Sequence, residues 1–352
     1  MPGMARWSAI RSSASRGVGQ AAAGGYHRGI VSPVTTVTVR VPAKVNLQLA
    51  VGPVRADGYH NVVTVYHAVS LFDEVSVAPA DNDSVTVTGE GADSVPADEG
   101  NLAVRAAEAL LAAVGAGSRD SPGLAIRILK RIPVAAGLAG GSADAAAALV
   151  ACNELWRTGL SQQELHELAS GIGSDVAFAL VGGTAIGMGR GERVTSALTS
   201  GTLHWVLAFA TGGLSTGEVY AACDRIRARD SGHRRARVPA RAPEPELDNA
   251  LMAAVRSGDP AELGPLLSND LQPAALSLRP ELRRVLAAGG ELGALGAIVS
   301  GSGPTCAFLA RNLRQARNLA AALAGAGVCR TVAQVTGPAP GASVMTAATE
   351  QA

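Results

Sequence analysis

A glycine-rich stretch in the middle of the chain has the composition of an anion-binding loop. Residues 131–148 read RIPVAAGLAGGSADAAAA, with Gly137, Gly140 and Gly141 within five residues and strong helix formers after Ser142. Unobstructed backbone N–H groups can converge on a phosphate there, and the following helix adds the positive end of its dipole. Neither the GxxxxGK[ST] spacing nor the GxGxxG spacing is present. The stretch predicts a phosphate loop of another kind, with Ser142 as helix N-cap and as a phosphate or metal ligand.

One carboxylate and two ammonium groups are the candidates for further chemistry. Only Lys44 and Lys130 among 30 basic residues are lysines, which favours positions where a compact ammonium does what a guanidinium cannot, although both could simply lie on solvated faces. Asp175 is the one acidic residue of GIGSDVAFALVGGTAIGMG. A carboxylate in such apolar surroundings usually has a cationic partner, here Lys44, unless it only caps a helix after Ser174. Such a pair suits phosphoryl transfer, which needs an acceptor for the proton of the attacking hydroxyl.

Asp144 has no single predicted role. It follows the glycine loop in the first turn of the predicted helix, where a carboxylate competes with a phosphate for the helix dipole. It could cap the helix, face away from the ligand or approach a magnesium ion, and the sequence leaves these three open.

Composition excludes several classes of protein. The chain has 352 residues, 47% of them hydrophobic and 17% charged, which predicts a globular protein of two domains. A net charge of +1 and 3% aromatic residues argue against a nucleic-acid partner. The apolar runs are too short or too interrupted to span a bilayer. Four cysteines without a CxxC pair indicate neither a zinc site nor a disulfide framework, so we expect a soluble, cytoplasmic protein.

Strands and helices must position the candidate residues. Alternating β-branched residues predict antiparallel strands over 34–49, over YHNVVTVYHAVSLFDEVSVAPA and over the turn-rich segment after it. Asn101 predicts the cap of a helix. The run GLAIRILKRIP predicts a strand that leads into the glycine loop. A new strand, TLHWVLAFA, marks a domain boundary. The helices and strands after it predict a small α+β domain.

Four segments follow from this pattern. Residues 1–33 contain four arginines and no acidic residue, which resembles a transit peptide but also suits a start site assigned too far upstream; we favour a disordered extension. Residues 34–200 form the first domain, residues 201–336 the second, and residues 337–352 a flexible tail. The Arg- and Pro-rich segment 225–245 is predicted to be an exposed loop or a linker-like insertion.

Five motifs resemble those of the GHMP kinase superfamily. They are PAKVNL, DGYH, IPVAAGLAGGSADAAAA, GSDVAF and SGSGPT, in this order, between residues 36 and 336. The resemblance implies an α+β, two-domain GHMP kinase fold, with an N-terminal ribosomal protein S5 domain 2-like domain and a C-terminal ferredoxin-like domain. The first, second and fourth motifs resemble the branch that phosphorylates the 2-hydroxyl of cytidine diphosphate methylerythritol, with ATP and Mg²⁺. Mevalonate and homoserine kinases carry a GLGSSA-type loop instead. We expect no nucleic-acid or membrane partner, and a monomer or weak homodimer.

The resemblance also implies roles for single residues. Asp175 takes the proton of the substrate hydroxyl, and Lys44 holds that hydroxyl and the carboxylate in register. The ATP phosphate loop comprises Pro133, Val134, Ala135, Ala136, Gly137, Leu138, Ala139, Gly140, Gly141, Ser142 and Ala143. The substrate-binding residues are Tyr59 and His60 at the cytosine, Asn46 near the methylerythritol, Lys130 near the nucleotide end, Thr216, and the turn Ser300, Gly301, Ser302 and Gly303. No metal ligand is assigned.

Two residues depend on context. His60 alone would mark only a turn entering a strand, and the resemblance turns it into a ligand residue. Many relatives have a glycine where this chain has Ala139, and an alanine there is tolerable if its φ is below zero.

Two other functions remain open. A mevalonate or homoserine kinase would share the fold but would have no use for Tyr59 and His60. A non-catalytic sugar or nucleotide sensor would have no need of a base, so the presence of both Lys44 and Asp175 argues against it.

Overall fold

The computed structural model describes residues 36–115, 123–233 and 244–345, so the predicted extension over residues 1–33 lies outside the described residues. Its strands are β1 (Val37–Val54), β2 (His60–Ala80), β3 (Ser84–Gly89), β4 (Gly123–Lys130), β5 (Thr184–Met188), β6 (Arg193–Ala197), β7 (Leu203–Phe209), β8 (Ser268–Asn269), β9 (Gly296–Val299), β10 (Cys306–Ala310), β11 (Thr331–Gly337) and β12 (Ser343–Val344). Its helices are α1 (Leu102–Ala113), α2 (Gly140–Trp156), α3 (Gln162–Ile172), α4 (Ser174–Val181), α5 (Thr216–His233), α6 (Asn249–Ser257), α7 (Pro260–Leu263), α8 (Gln272–Leu278), α9 (Leu282–Glu291) and α10 (Leu313–Gly325).

The first sheet is built on two long antiparallel strands. β1 and β2 pair from Val37 opposite Val77 to Val54 opposite His60, as their β-branched sequences predict. The order is β12-β1-β2-β4-β3, with β5 beside β2, β6 beside β5 and β8 beside β1. β3 runs parallel to β4, so the expectation of antiparallel pairing was wrong for this strand. The sheet carries Lys44 on β1 and delivers β4 to the glycine loop.

The alanine-rich helix α2 packs on this sheet. The alanines from Ala145 to Ala148 are fully buried, with Val39 and Val45 of β1 in the same core cluster. Small side chains and high helix propensity suit a helix that lies close to a sheet. Asn101 caps α1 by accepting a hydrogen bond from the backbone N–H of Ala103, which confirms that prediction.

The second sheet has the strand order β11-β7-β10-β9, and each neighbouring pair is antiparallel. Counted along the chain, this is the fourth–first–third–second order of a ferredoxin-like fold, so that expectation is confirmed. One face, with Val206 and Phe308, forms a separate core. Trp205 and Leu309 on the other face belong to the core of the first sheet, so the two halves share packed apolar surface.

The predicted segment boundaries differ from the structure in two places. Residues 337–345 are not a loose tail, because Val344 pairs with Val39 and the Ala339 N–H donates to the Ala68 carbonyl at 2.9 Å. These backbone hydrogen bonds attach the segment to the first sheet. The predicted loop over 225–245 is helical at its start, because α5 continues to His233; residues 234–243 lie outside the described residues. Within the described ranges, no helix is long and apolar enough to cross a membrane.

Candidate active site

The glycine loop joins the end of β4 to the start of α2. The helix begins at Gly140, and Ala139 holds the N-cap position with φ of 62°. Ser142 therefore lies in the first turn and is not the N-cap that the sequence predicts. The condition stated for an alanine at position 139, a φ below zero, is not met, because the chain turns into the helix through a left-handed residue. The first turn of a helix leaves N–H groups without intrahelical partners, and Gly140, Gly141 and Ser142 line a cleft there.

The carbonyl side of the loop is held by the rest of the protein. Four consecutive carbonyl oxygens accept hydrogen bonds: Ala135 from the N–H of Leu214 at 3.2 Å, Ala136 from the N–H of Thr305 at 3.3 Å, Gly137 from the Ser300 hydroxyl at 3.1 Å, and Leu138 from the N–H of Lys44 at 3.2 Å. With the carbonyl oxygens engaged in this way, the loop is fixed in place and its amides are suited to an anion.

The turn between β9 and β10 packs directly against this loop. A Cβ on Gly137 would lie 2.1 Å from the Ser300 carbonyl oxygen, and a Cβ on Gly301 would lie 2.8 Å from Lys44 Nζ. The backbone oxygen opposite Gly137 leaves no room for a side chain, and both residues have a positive φ, 76° and 54°, which favours glycine. The hydroxyls of Thr216 and Ser302 are 3.0 Å apart at the same place. The structure thus brings together the loop, the turn of the second half and Lys44.

Lys44 and Asp175 form an ion pair in the cleft. Asp175 is the second residue of α4, and its Oδ2 lies 3.9 Å from Lys44 Nζ. Lys44 is 6% exposed and donates a 2.6 Å hydrogen bond to Asn46 Oδ1. Burial lowers the pKa of Lys44, and the charge of Asp175 opposes this effect. Asp175 does not cap α4, because the N-cap is Gly173 and no side chain caps this helix.

Tyr66 is a part of this site that the sequence did not reveal. Its ring stacks on Phe178 of α4 at a centroid distance of 4.7 Å, and Lys44 Nζ lies 6.0 Å from the ring centre. Burial raises the pKa of Tyr66 well above its usual range, and the charge of Asp175 and a hydrogen bond to it act in the same direction. Tyr66 therefore lies beside the Lys44–Asp175 pair on the cleft wall.

The other end of the cleft is aromatic. Tyr59 is 56% exposed and His60 is buried. The Nε2 atom of His60 lies 3.0 Å from Asp224 Oδ1, and its ring centre is 5.0 Å from that of Tyr220. The guanidinium of Arg190 lies 5.0 Å from the centre of the Tyr59 ring, within the range of a cation–π contact. Tyr220, Asp224 and Arg190 were missed by sequence reasoning, since they come from elements distant in the chain.

The structure places Lys130 outside the cleft. Its ammonium is paired with Asp73 and, at 2.7 Å, with Asp144, and all three residues are buried. This contact decides between the three possibilities for Asp144. The side chain faces away from the ligand, since it neither caps α2 nor lines the cleft. Lys130 therefore lies against the start of α2 but does not line the cleft, so the structure does not give it the ligand contact that the resemblance implied.

The cleft has a volume of about 1020 Å³. The sequence-predicted residues that line it are Lys44, Asn46, Tyr59, His60, Ala135, Ala136, Gly137, Ala139, Gly140, Gly141, Ser142, Asp175, Thr216, Gly301 and Ser302. Those that do not line it are Lys130, Pro133, Val134, Leu138, Ala143, Ser300 and Gly303.

A dedicated metal cage is absent from the described part of the chain, where no three His, Cys, Asp or Glu side chains come together. Ser142 and Asp175 supply oxygen atoms at the cleft wall. Mg²⁺ is commonly bound through one or two protein oxygens together with substrate phosphates and water. The residues present fit an ion of that kind, one that enters with a nucleotide.

Comparison with known proteins agrees with this geometry. The family model "GHMP kinases N terminal domain" matches residues 101–183, and "GHMP kinases C terminal" matches residues 251–329. The fold and cleft thus define a kinase of the GHMP class. A crystal structure of homoserine kinase from Cytophaga hutchinsonii has a TM-score of 0.64 at 19% identity, covering 91% of this chain and 100% of that chain. At this identity the likeness shows the fold alone.

More similar proteins define the family within that class. The 4-diphosphocytidyl-2-C-methyl-D-erythritol kinase of Mycolicibacterium gilvum (strain PYR-GCK) is 57% identical over 315 residues, which cover 90% of this chain and 94% of the relative. A crystal structure of 4-(cytidine 5'-diphospho)-2C-methyl-D-erythritol kinase has a TM-score of 0.66 at 33% identity, covering 85% and 98% of the two chains. The chain belongs to the family of 4-diphosphocytidyl-2-C-methyl-D-erythritol kinases.

Proposed function

We propose that the chain transfers the γ-phosphoryl group of ATP to the 2-hydroxyl of 4-diphosphocytidyl-2-C-methyl-D-erythritol. The products are the 2-phosphate and ADP, in a step of the non-mevalonate isoprenoid pathway. The observation that carries this proposal is one cleft with three parts. It contains the glycine loop, the Lys44–Asp175 pair 3.9 Å apart and the aromatic end at His60.

The catalytic steps follow from these parts. Asp175 accepts the proton of the 2-hydroxyl while the hydroxyl oxygen of the substrate attacks the γ-phosphorus. The bond from that phosphorus to the bridging oxygen breaks, and ADP leaves. Lys44, fixed by Asn46, holds the hydroxyl and the carboxylate in register. The amides of the glycine loop bind the phosphates, and the positive end of the α2 dipole favours their charge. When bound, Mg²⁺ neutralises phosphate charge; Ser142 is the residue that we propose to hold it.

The aromatic end suits the cytidine part of the acceptor. Tyr59 is exposed and available for stacking, and His60 is held by Asp224 beside Tyr220. Aromatic rings bind a base through stacking, and an imidazole adds a directed hydrogen bond. We propose that Asn46, which accepts the Lys44 hydrogen bond on the cleft wall, lies near the methylerythritol.

The alternatives are less well supported. A homoserine kinase and a mevalonate kinase of known structure share the fold at 19% and 18% identity, but the acceptors of such kinases carry no base for Tyr59 and His60 to bind. A non-catalytic sensor leaves the Lys44–Asp175 pair in the cleft without a use. The cytoplasmic location and the monomeric or weakly dimeric state stay predictions.

The test is to mix the protein with Mg-ATP and separately with 4-diphosphocytidyl-2-C-methyl-D-erythritol, mevalonate or homoserine, and to measure ADP release. We expect release above background with the first acceptor only. The Asp175→Asn variant, which keeps the shape of the side chain, is the matched control for contaminating kinases. Equal or faster turnover of mevalonate or homoserine would overturn the proposal, and release without any acceptor would indicate a simple ATPase.

A further inference from the structure

We propose that Lys130 is a positioning residue of the phosphate loop, which it clamps from behind by holding Asp73 of β2 and Asp144 of α2 together without touching the nucleotide. The inference deepens the proposed function, since it rests on ATP being bound at this loop. It also replaces the ligand contact that the resemblance implied for Lys130.

The clamp holds the start of the loop through Asp73. Lys130 is the last residue of β4, and its ammonium donates a hydrogen bond to Asp73 Oδ2. The other oxygen of that carboxylate, Oδ1, accepts from the backbone N–H groups of Arg131 at 2.6 Å and Ile132 at 2.8 Å. Asp73 is fully buried, so these hydrogen bonds are shielded from water and are strong. One carboxylate thus fixes the direction in which the chain leaves the sheet.

The clamp holds the end of the loop through Asp144. The same ammonium donates a 2.7 Å hydrogen bond to Asp144 Oδ2, in the first helical turns of α2. A Cβ on Gly140 would lie only 3.0 Å from Lys130 Nζ, so the first residue of the helix rests against the ammonium. The loop residues between Lys130 and Gly140 are therefore held at both ends by one charged group.

The space around the ammonium explains why this position is lysine in a chain dominated by arginine. A planar guanidinium is wider than an ammonium and distributes its donors in a fixed fork. Between Gly140 and the two carboxylates there is room for a compact group with three donors. A buried ammonium between two buried carboxylates is expensive to desolvate and adds little net stability, which favours a role in geometry.

The charges of the three groups depend on one another. Burial raises the pKa of Asp144 to about 7, against the opposing charge of Lys130. Asp144 and Asp73 raise the pKa of Lys130 above its usual value, against burial. Removal of the ammonium would leave two buried carboxylates facing each other, and the loop would lose its fixed shape.

The test is to measure the Kd for Mg-ATP by calorimetry in the absence of acceptor, together with kcat, both KM values and Tm. The variants are Lys130→Met and Asp73→Asn, with Arg131→Gln as the matched control. Arg131, the residue after β4, pairs with Glu74 of β2 at 2.6 Å, and both side chains are more exposed than the clamp; each lies one residue from a clamp residue. We expect the Kd and the KM for ATP to rise at least about tenfold in both clamp variants, while their KM for the acceptor stays within about twofold of wild type. In the control variant, all of these constants should stay within about twofold of wild type.

The outcomes separate the possibilities. An unchanged Kd for ATP in folded Lys130→Met or in Asp73→Asn overturns the clamp. A loss of ATP affinity in Lys130→Met but not in Asp73→Asn also overturns the clamp, because this result would show direct contact of the ammonium with the nucleotide. A rise in the acceptor KM alone overturns it as well. If Lys130→Met does not fold, Lys130→Arg and Asp144→Asn are measured in the same way, and weaker ATP binding in folded protein supports the clamp. Failure of the proposed function looks different: the wild type would bind ATP without phosphorylating the acceptor.

Discussion

Replacement of Asp175 by Asn removes the charge and the proton-accepting ability of this side chain while keeping its shape. Lys44 Nζ and Asp175 Oδ2 are 3.9 Å apart, which at an effective dielectric constant of about 20 corresponds to an attraction of about 4 kcal/mol. The net value is smaller, because the Asp175 side chain is 30% exposed. Without this charge, the burial that lowers the pKa of Lys44 is unopposed, and its pKa falls further.

The loss of the general base sets the size of the kinetic effect. General-base catalysis contributes about 10²–10⁴-fold, or about 3–5 kcal/mol of activation free energy. We expect kcat in Asp175→Asn to fall by that factor. The KM for ATP should stay within about threefold, because the carboxylate does not belong to the loop.

The assay is ADP release coupled to a reporter enzyme, with ATP binding measured separately. Lys44→Arg should show a comparable loss of kcat, since a Cβ placed on Gly301 would already lie 2.8 Å from Lys44 Nζ and a guanidinium needs more space. Turnover within tenfold of wild type in the Asn variant would refute the general-base role. A large loss of ATP affinity in that variant would place Asp175 at the nucleotide or its metal ion instead.

Three further predictions concern Tyr59, Tyr66 and Asp144. Tyr59→Phe should keep more activity than Tyr59→Ala, because stacking needs the ring and not the hydroxyl; equal acceptor KM values in both variants would exclude stacking. Tyr66→Phe keeps the ring stacked on Phe178 but removes the hydroxyl beside the Lys44–Asp175 pair, so kcat should fall while the KM for ATP stays within about twofold; an unchanged kcat would show that this hydroxyl has no part in catalysis. Burial raises the pKa of Asp144 from 3.8 to about 7. At pH values between these two, the folded state therefore holds a proton on Asp144 that the unfolded state has lost. The free energy of unfolding should therefore fall as pH rises from about 4 to about 7, and denaturant titrations should show a weaker fall in Asp144→Asn; an unchanged slope would count against a raised pKa.

The parts of the site that could be predicted carry local signals. The loop around Gly137 is visible because glycines precede a helix-forming run, and Asp175 because it is a lone acid among apolar residues. The start of α2 was misplaced at Ser142 because a serine is a common N-cap, whereas the chain enters the helix through left-handed Ala139. That conformation depends on contacts of the loop with the second sheet, which local sequence does not encode.

The parts that could not be predicted depend on distant elements. Asp73 meets Lys130 across 57 positions of sequence, and His60 meets Asp224 across 164. Asp224 directly precedes the segment 225–245, which was expected to be a loop. The arginines and prolines of that segment do not show that α5 continues to His233. Only the register of β2 against β4 and the packing of the second half bring these side chains into place.

The scarcity of lysine is the compositional signal that the structure explains best. Both lysines are buried, Lys44 at 6% and Lys130 at 2% exposure, and both ammonium groups pair with carboxylates. Each is also faced by a glycine, since a Cβ on Gly301 would lie 2.8 Å from Lys44 Nζ and a Cβ on Gly140 would lie 3.0 Å from Lys130 Nζ. At each place the lysine and the glycine therefore depend on each other. The ammonium comes this close to the backbone because the residue opposite it has no side chain. In a chain whose other basic residues are all arginine, both lysines thus lie where a glycine backbone approaches the ammonium, and a guanidinium would need more space at either place.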